Sequence, residues 1–368
     1  MNNDIKISVI IPVYNSQSFL HSTIKNLKDQ SIKSKFEIIF IDDGSTDKST
    51  EIIESYKLKN IKLIKLNSNS GPSRARNEGL KHAKGEYIFF FDADDSISNT
   101  ALEKLYAKTK EKKLDLIFSD KKRIENNINQ REDIYVFNEN KFFSSKEINE
   151  EISQRLKNPL YLTGLLDLTG RLIRKSIIAD HNILFDERLR YMEDETFMWD
   201  LLPYIENAFY IKEQLYSYFI NPNTNTGVSN SLFTGFPLEN FLIIRNKIKT
   251  CLEKRNFFNN DVINLSDQAY IFFVISSLIS FYRSIVLGKV EKTSAIKKFN
   301  EYSEEVVRNQ EIVNSIKNYS ISKNESSLIP VSIKYRSSFF LKISVKLRVK
   351  ALLKLRRKNQ NKELKNIR

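Results

Sequence analysis

Apolar and polar residues alternate in blocks along the first hundred positions. Ile5 to Pro12 and Phe36 to Ile41 are compact apolar runs rich in Ile, the composition of parallel strands buried on both faces. Between them, Ser18 to Gln30 carries Phe19, Ile24 and Leu27 at helical spacing. A second helix is predicted over Lys48 to Tyr56 with Asp47 as its N-cap. Ile61 to Leu66 follows as a third strand, Ser73 to Ala83 as a helix and Tyr87 to Phe91 as a fourth strand. This order predicts an α/β fold, an open and mostly parallel sheet flanked by helices. Ligands of such sheets bind beyond the carboxyl ends of the strands. The polar clusters fall there: Val13-Tyr14-Asn15, Asp42-Asp43-Gly44-Ser45, Asn69-Ser70-Gly71 and Asp92-Ala93-Asp94-Asp95.

Beyond about Ile220 the pattern changes to longer helices, Leu238 to Lys254 and Ser266 to Leu287, and the chain reads as three parts. Residues 1–220 form the α/β domain, 221–330 a helical region and 331–368 a basic amphipathic tail, with a Ser- and Asn-rich boundary over Ser322 to Pro330. The longest apolar run, Ala269 to Leu287, is interrupted by Arg283 and falls short of the roughly 20 apolar residues of a membrane span. It reads as a buried helix.

Composition narrows the class. Of the 368 residues, 41% are hydrophobic and 28% charged, which suits a soluble globular protein. One cysteine, Cys251, cannot make an internal disulfide, so nothing asks for an oxidising compartment. The apolar stretch Ile7 to Val13 is too short, and its lead-in too acidic, for a signal peptide, and a cytoplasmic location is expected. The net charge of +14 invites a nucleic-acid reading, but Lys334 to Arg368 holds 13 Lys and Arg against one acid, Glu363. The rest of the chain is close to neutral, so no nucleic-acid partner is expected.

Asp92, Asp94 and Asp95 directly follow an apolar strand and repel one another unless a cation neutralises them. Hard oxygen ligands of this kind suit Mg²⁺ or Mn²⁺ completed by substrate phosphates. Taken alone, the cluster could equally be a solvated acidic turn. Asp43 and Asp47 could likewise be a turn residue and an N-cap around Gly44, and Arg74 and Arg76 surface helix residues.

Taken in order, Ser8-Val9-Ile10-Ile11-Pro12-Val13-Tyr14-Asn15, Asp42 to Asp47, Gly71-Pro72-Ser73-Arg74-Ala75-Arg76-Asn77-Glu78-Gly79 and Asp92-Ala93-Asp94-Asp95 closely resemble the nucleotide-sugar-binding half of family 2 glycosyltransferases of the GT-A fold. The resemblance covers roughly residues 5 to 220. It implies that Pro12, Val13, Tyr14, Asn15 and Asp43 hold base and ribose, that Gly71 belongs to the donor site, that Arg74 approaches the diphosphate, that Asp92 lies near the ribose and that Asp94 ligates the metal. In Tyr191-Met192-Glu193-Asp194-Glu195-Thr196-Phe197, Asp194 matches the family's catalytic base. The same acidic tripeptide is also what a helix N-terminus favours. The implied reaction is a single displacement with inversion, from a nucleotide-sugar donor, expected to be UDP-linked, to a saccharide or lipid-linked acceptor in bacterial surface polysaccharide synthesis.

One departure from the family pattern and two alternatives stand beside this reading. Some related enzymes complete the metal shell with a late histidine, and the histidines here, His21, His82 and His181, fall in helices or connecting segments. A sugar-phosphate nucleotidyltransferase is the first alternative, but it would show a Gly-rich loop where this chain has Pro12 to Asn15. A membrane- or nucleic-acid-binding protein with a vestigial sugar-nucleotide site is the second, and the intact acidic motifs argue against it. In the tail, Phe340, Ile343, Leu347 and Ala351 align at helical spacing among Lys and Arg, with Lys354 intruding. Such a segment suits peripheral contact with the inner face of a membrane, and a solvated basic end is its alternative.

Overall fold

The computed structural model describes residues 5–125, 128–131, 135, 137–158, 161–189, 191–220, 237–321 and 325–366. It divides into two compact units, Met1–Arg155 with Leu160–Asn223, and Leu156–Pro159 with Thr224–Arg368.

In the first unit, β1 (Ile7–Val13), β2 (Phe36–Asp42), β3 (Ile61–Lys65) and β4 (Tyr87–Phe90) form a parallel array in the order β3-β2-β1-β4. Helices α1 (Gln17–Lys28), α2 (Ser49–Ser55) and α3 (Pro72–His82) connect them. β1, β2 and β4 are buried because both faces are covered, with Val9, Ile10, Ile11, Ile39, Phe40, Phe89 and Phe90 0% exposed, whereas the edge strand β3 is only half-buried. The register sets the strand ends level. Val13 pairs with Asp42 and Asp42 with Lys65, and the Phe91 N–H donates to the Ile10 carbonyl at 3.0 Å. The loops after β1, β2, β3 and β4 therefore open at one edge of the sheet.

α3 lies close on β1 and β2, and Gly79 is where it touches. A Cβ there would stand 2.4 Å from Ile10 Cγ2 and 2.9 Å from Ile41 Cδ1. Glycine is needed for close approach rather than for backbone freedom. Lys48, not Asp47 as expected, takes the N-cap position of α2, and the Asp47 side chain bridges two helices instead. Its Oδ1 accepts from Ser49 N–H at 2.9 Å and its Oδ2 from Gln17 N–H at 3.0 Å, tying the starts of α2 and α1 together.

Beyond this parallel array the sheet is mixed. β9 (Arg171–Arg174) runs antiparallel between β4 and β6 (Leu116–Glu125), and β6 pairs parallel with β10 (Ala208–Ile220). Short antiparallel strands β5 (Ser96–Ile97), β7 (Ile128–Arg131) and β8 (Lys141–Phe143) complete a mixed sheet, ten-stranded among the described residues, with helices α4 (Ala101–Glu111), α5 (Ser145–Lys157) and α6 (Lys175–Asp180) in the connections. β9 enters the middle of the sheet although both its ends are arginine. Arg174 Nε is 3.2 Å from Asp115 Oδ1, and Arg171 Nη1 donates to the Gly164 carbonyl at 2.7 Å.

The described part of the second unit is helical: α8 (Leu238–Lys254), α9 (Asn259–Val286), α10 (Lys292–Arg308), α11 (Gln310–Ser315), α12 (Leu328–Lys334) and α13 (Ser338–Asn366). α9 is long and apolar enough to cross a membrane, with mean hydropathy 1.7 over an 18-residue window. Here it packs against α8, α10, α11 and α13, with Ile271, Val274 and Leu278 fully buried. Asp267 on α9 is also buried. It accepts from Arg245 Nε at 2.7 Å, Ser315 Oγ at 2.8 Å and Asn318 Nδ2 at 2.7 Å, so its charge is met on three sides.

The basic segment 331–368 is part of this unit. Leu341, Val345 and Val349, at i, i+4 and i+8, are buried, and α13 packs on α9, α10 and α12. The stripe picked out by the sequence, Phe340, Ile343 and Leu347, faces solvent at 62%, 38% and 54% exposure. The expected boundaries at 220 and 322 adjoin 221–236 and 322–324, which lie outside the described residues.

Candidate active site

The loops after β1, β2 and β3 are bonded to one another. Asn15 takes a left-handed φ of 49°, its N–H donates to Ser45 Oγ at 3.0 Å, and its Oδ1 accepts from Thr46 N–H at 2.8 Å. Pro12 is half-buried, Val13 buried and Tyr14 37% exposed. Asp43 is buried, and its two oxygens accept from Ser70 N–H at 2.9 Å and Gly71 N–H at 2.7 Å. Burial pushes the Asp43 carboxyl up, against these bonds and nearby Arg74. Gly71 has φ 94° with open space around its Cβ direction, so backbone conformation is what asks for glycine there. Arg74 stands exposed on the first turn of α3.

In the loop after β4, the three aspartates part company. Asp95 turns inward, accepting from Tyr216 OH at 2.5 Å and Phe219 N–H at 3.0 Å, and pins the loop to β10. Asp92 and Asp94 are half-buried. Burial, with Asp92 beside it, pushes the Asp94 carboxyl up to about 6. Two acids this close in a partly desolvated loop favour a cation.

Asp92 is joined to the second acidic cluster by Arg76, a residue that the sequence assigns no role. Arg76 is 4% exposed. Its Nη2 donates to Asp92 Oδ1 at 3.0 Å and its Nη1 to Asp194 Oδ1 at 2.7 Å, with Glu193 Oε1 at 3.4 Å. Neighbouring α3 residues hold the same segment. Asn77 exchanges hydrogen bonds with the Phe185 backbone at 2.9 and 2.8 Å and donates to Glu187 Oε1 at 3.0 Å, while Ser73 Oγ donates to the Leu189 carbonyl at 3.5 Å. Ser73, Arg76 and Asn77 share one helix face by their i, i+3, i+4 spacing. That periodicity is the signal in the sequence that could have found them.

Glu193, Asp194 and Glu195 form the first turn of α7 (Glu193–Leu201). Met192 before it has φ 60°, costly for a side chain of its size. Glu195 accepts from Trp199 Nε1 at 3.3 Å. Asp194 keeps 41% of its side chain exposed. Burial outweighs Arg76, Glu193 and Asp92 add repulsion, and its carboxyl is pushed up to about 7. One guanidinium shared by three carboxylates leaves a net negative cluster, which is why the ion pair does not hold Asp194 low.

The histidines stand elsewhere. His21 bonds Tyr56 OH at 2.9 Å, His82 lies 3.2 Å from Glu78 and His181 stacks on Tyr204 at 3.5 Å between ring centroids. Among the described residues no group of three His, Cys, Asp or Glu side chains forms a ready-made metal cage. Asp94 nevertheless fits the chemistry of a Mg²⁺ or Mn²⁺ site, a half-buried hard-oxygen ligand that a cation would stabilise, if substrate phosphates and water supply the other positions.

Residues 8–181 match the family model described as glycosyl transferase family 2. The chain is 30% identical over 224 residues to the uncharacterized glycosyltransferase EpsJ of Bacillus subtilis, covering 60% of this chain and 63% of EpsJ. It is 31% identical over 195 residues to the poly(ribitol-phosphate) beta-N-acetylglucosaminyltransferase TarS of Staphylococcus aureus, covering 52% of this chain and 31% of that one. The chain thus spans less than two thirds of the length of these curated relatives. Among solved structures, S. aureus TarS 1-349 in complex with UDP-GlcNAc matches with a TM-score of 0.66 at 21% identity, over 93% of this chain and 91% of that one, a likeness of fold. With the parallel half-sheet and the acidic loop after β4, these matches identify residues 8–181 as a glycosyl transferase family 2 domain and give the chain the GT-A fold.

Proposed function

We propose that the chain is an inverting glycosyltransferase, moving a sugar from a UDP-linked donor to a saccharide or lipid-linked saccharide acceptor in bacterial surface polysaccharide synthesis. The observation that carries it is the Asp92–Arg76–Asp194 array. It joins the strand-end loop expected to meet the donor to a half-exposed carboxylate able to take a proton. The names of the relatives support the acceptor class, since TarS is named for poly(ribitol-phosphate) and another relative, GgaA of Bacillus subtilis, for minor teichoic acid biosynthesis.

In this reading the loop Pro12 to Asn15, with Asp43 behind it, receives the base and ribose, Arg74 meets the diphosphate at the start of α3, and Asp92 stands near the ribose. Asp94 would hold Mg²⁺ or Mn²⁺, which would supply positive charge against the diphosphate leaving group. Asp194 accepts the proton of the attacking hydroxyl. A general base works with a pKa near the operating pH, and a carboxyl pushed up to about 7 meets that condition. The protein works in the cytoplasm, peripheral to the inner face of the membrane, where a lipid-linked acceptor is presented.

The base role predicts a pH profile. Asp194 must be ionised to act, and its carboxyl is raised, so activity is present above the raised pKa and lost below it. The logarithm of kcat/KM for transfer should be flat above about pH 7 and fall with unit slope below it. A profile flat down to roughly pH 5, where an ordinary carboxylate is still ionised, would remove Asp194 from the role.

The metal role predicts that Asp94→Asn abolishes transfer while the thermal unfolding midpoint stays close to that of wild type. EDTA should likewise stop the wild-type enzyme, with recovery on adding Mn²⁺ or Mg²⁺. Near-normal turnover by Asp94→Asn, or indifference to EDTA, would exclude it.

A further inference from the structure

Helices α12 and α13 each carry two apolar stripes, and the fold uses one of them. On α12, Ile329 and Ile333 are buried while Leu328 and Val331 are 52% and 45% exposed, and Tyr335 just beyond is 74% exposed. On α13, Leu341, Val345 and Val349 are buried, while Phe340, Ile343 and Leu347 repeat at i, i+3, i+7 on the outer side. The outer stripes meet at the turn between the helices, where Tyr335 precedes Phe339 and Phe340, whose ring centroids are 5.6 Å apart. A helix packed on one core needs one apolar stripe. The second exposes large side chains that a soluble surface rarely gathers in one place.

The charges around these stripes have one sign. From Lys334 to Leu355 the chain carries Lys334, Arg336, Lys342, Lys346, Arg348, Lys350 and Lys354, and no Asp or Glu. Lys342 reaches Glu304 at 3.7 Å, and Lys346 lies over the Tyr282 ring at 5.9 Å. Both anchor α13 to its own unit. Lys350 and Lys354 follow Leu347 at i+3 and i+7, which sets them on the outer side beside the apolar stripe.

We propose that the outer stripes of α12 and α13 form a docking surface for an anionic lipid bilayer, with the Phe and Leu side chains entering the interface and Lys350 and Lys354 among the headgroups. This deepens the proposed placement at the inner membrane face by naming the surface that makes the contact. Apolar residues flanked by Lys and Arg gain from both the acyl boundary and the negative surface potential. Nucleic acid would leave the apolar stripe in water. A second copy of the chain would bring two surfaces of like charge together.

Deleting residues 331–368 is a poor test, because it strips Leu341, Val345 and Val349 from the core of the unit. Substitutions on the exposed stripe avoid this. Full-length protein is sedimented with phosphatidylcholine vesicles with and without phosphatidylglycerol, alongside Phe340→Ser/Leu347→Ser and Lys350→Glu/Lys354→Glu double variants. The wild type should bind the phosphatidylglycerol vesicles, more weakly at high salt, and each double variant should bind roughly tenfold less tightly or worse. UDP binding and the unfolding midpoint of both variants should match wild type. Equal binding by variants and wild type, or equal binding to both vesicle types, would overturn the proposal. So would a wild-type dimer that the same substitutions disperse. A chain that binds vesicles in this way but neither UDP nor any nucleotide sugar would sink the glycosyltransferase reading and leave the docking surface standing.

Discussion

Asp194→Asn is expected to lower kcat by about 10²- to 10⁴-fold, the usual cost of losing a general base, with UDP affinity little changed. The asparagine oxygen can still accept from Arg76 Nη1, which donates to Asp194 Oδ1 at 2.7 Å, so the segment should stay in place while its basicity is gone. Isothermal titration with UDP and initial-rate assays separate the two effects. A variant that loses nucleotide affinity yet keeps its maximal rate would show that Asp194 serves the donor rather than the acceptor.

Arg76→Met should have the broadest effect of any single substitution in the site. It removes the cation from three carboxylates, Asp92, Glu193 and Asp194, at a position 4% exposed. Breaking a buried ion pair by deleting one partner costs about 3–5 kcal/mol, and here the loss also frees the base from the donor loop. Stability in urea should fall by about that amount and transfer should become undetectable. Arg76→Lys should retain part of the stability, because the charge remains, but little activity, because one ammonium cannot reproduce the planar fork that reaches Asp92 and Asp194 from separate nitrogens. An Arg76→Met protein within about 1 kcal/mol of wild type, with normal turnover, would show that the network is an ordinary surface pair.

The parallel half of the fold was legible because its signal is local. Compact apolar runs, helices between them and polar clusters at the strand ends locate β1 to β4 and their loops to within a residue or two. The other half was not. β9 carries arginine at both ends and lies between strands distant in sequence, so its place depends on pairings such as Arg174 with Asp115 that no window of residues contains.

The candidate site shows the same division. The acidic clusters stand out by composition, but composition does not separate their members. Asp95 faces Tyr216 and Glu195 faces Trp199, whereas Asp92 and Asp194 share Arg76. Arg76 itself is inconspicuous in a chain with 59 Lys and Arg. In α13 the spacing of apolar residues fits two stripes, and only packing decides that Leu341, Val345 and Val349 form the inner one.

The stereochemistry of transfer tests the central claim most directly. A saccharide acceptor, incubated with α-linked UDP-hexoses and Mn²⁺, is followed by proton NMR from the first turnovers. With Asp194 as base and no carboxylate acting as nucleophile, the new glycosidic bond should have the β configuration. An α-linked product would contradict the single displacement, and formation of a nucleotide sugar from a sugar phosphate and a nucleoside triphosphate, with no transfer to acceptor, would contradict the account as a whole.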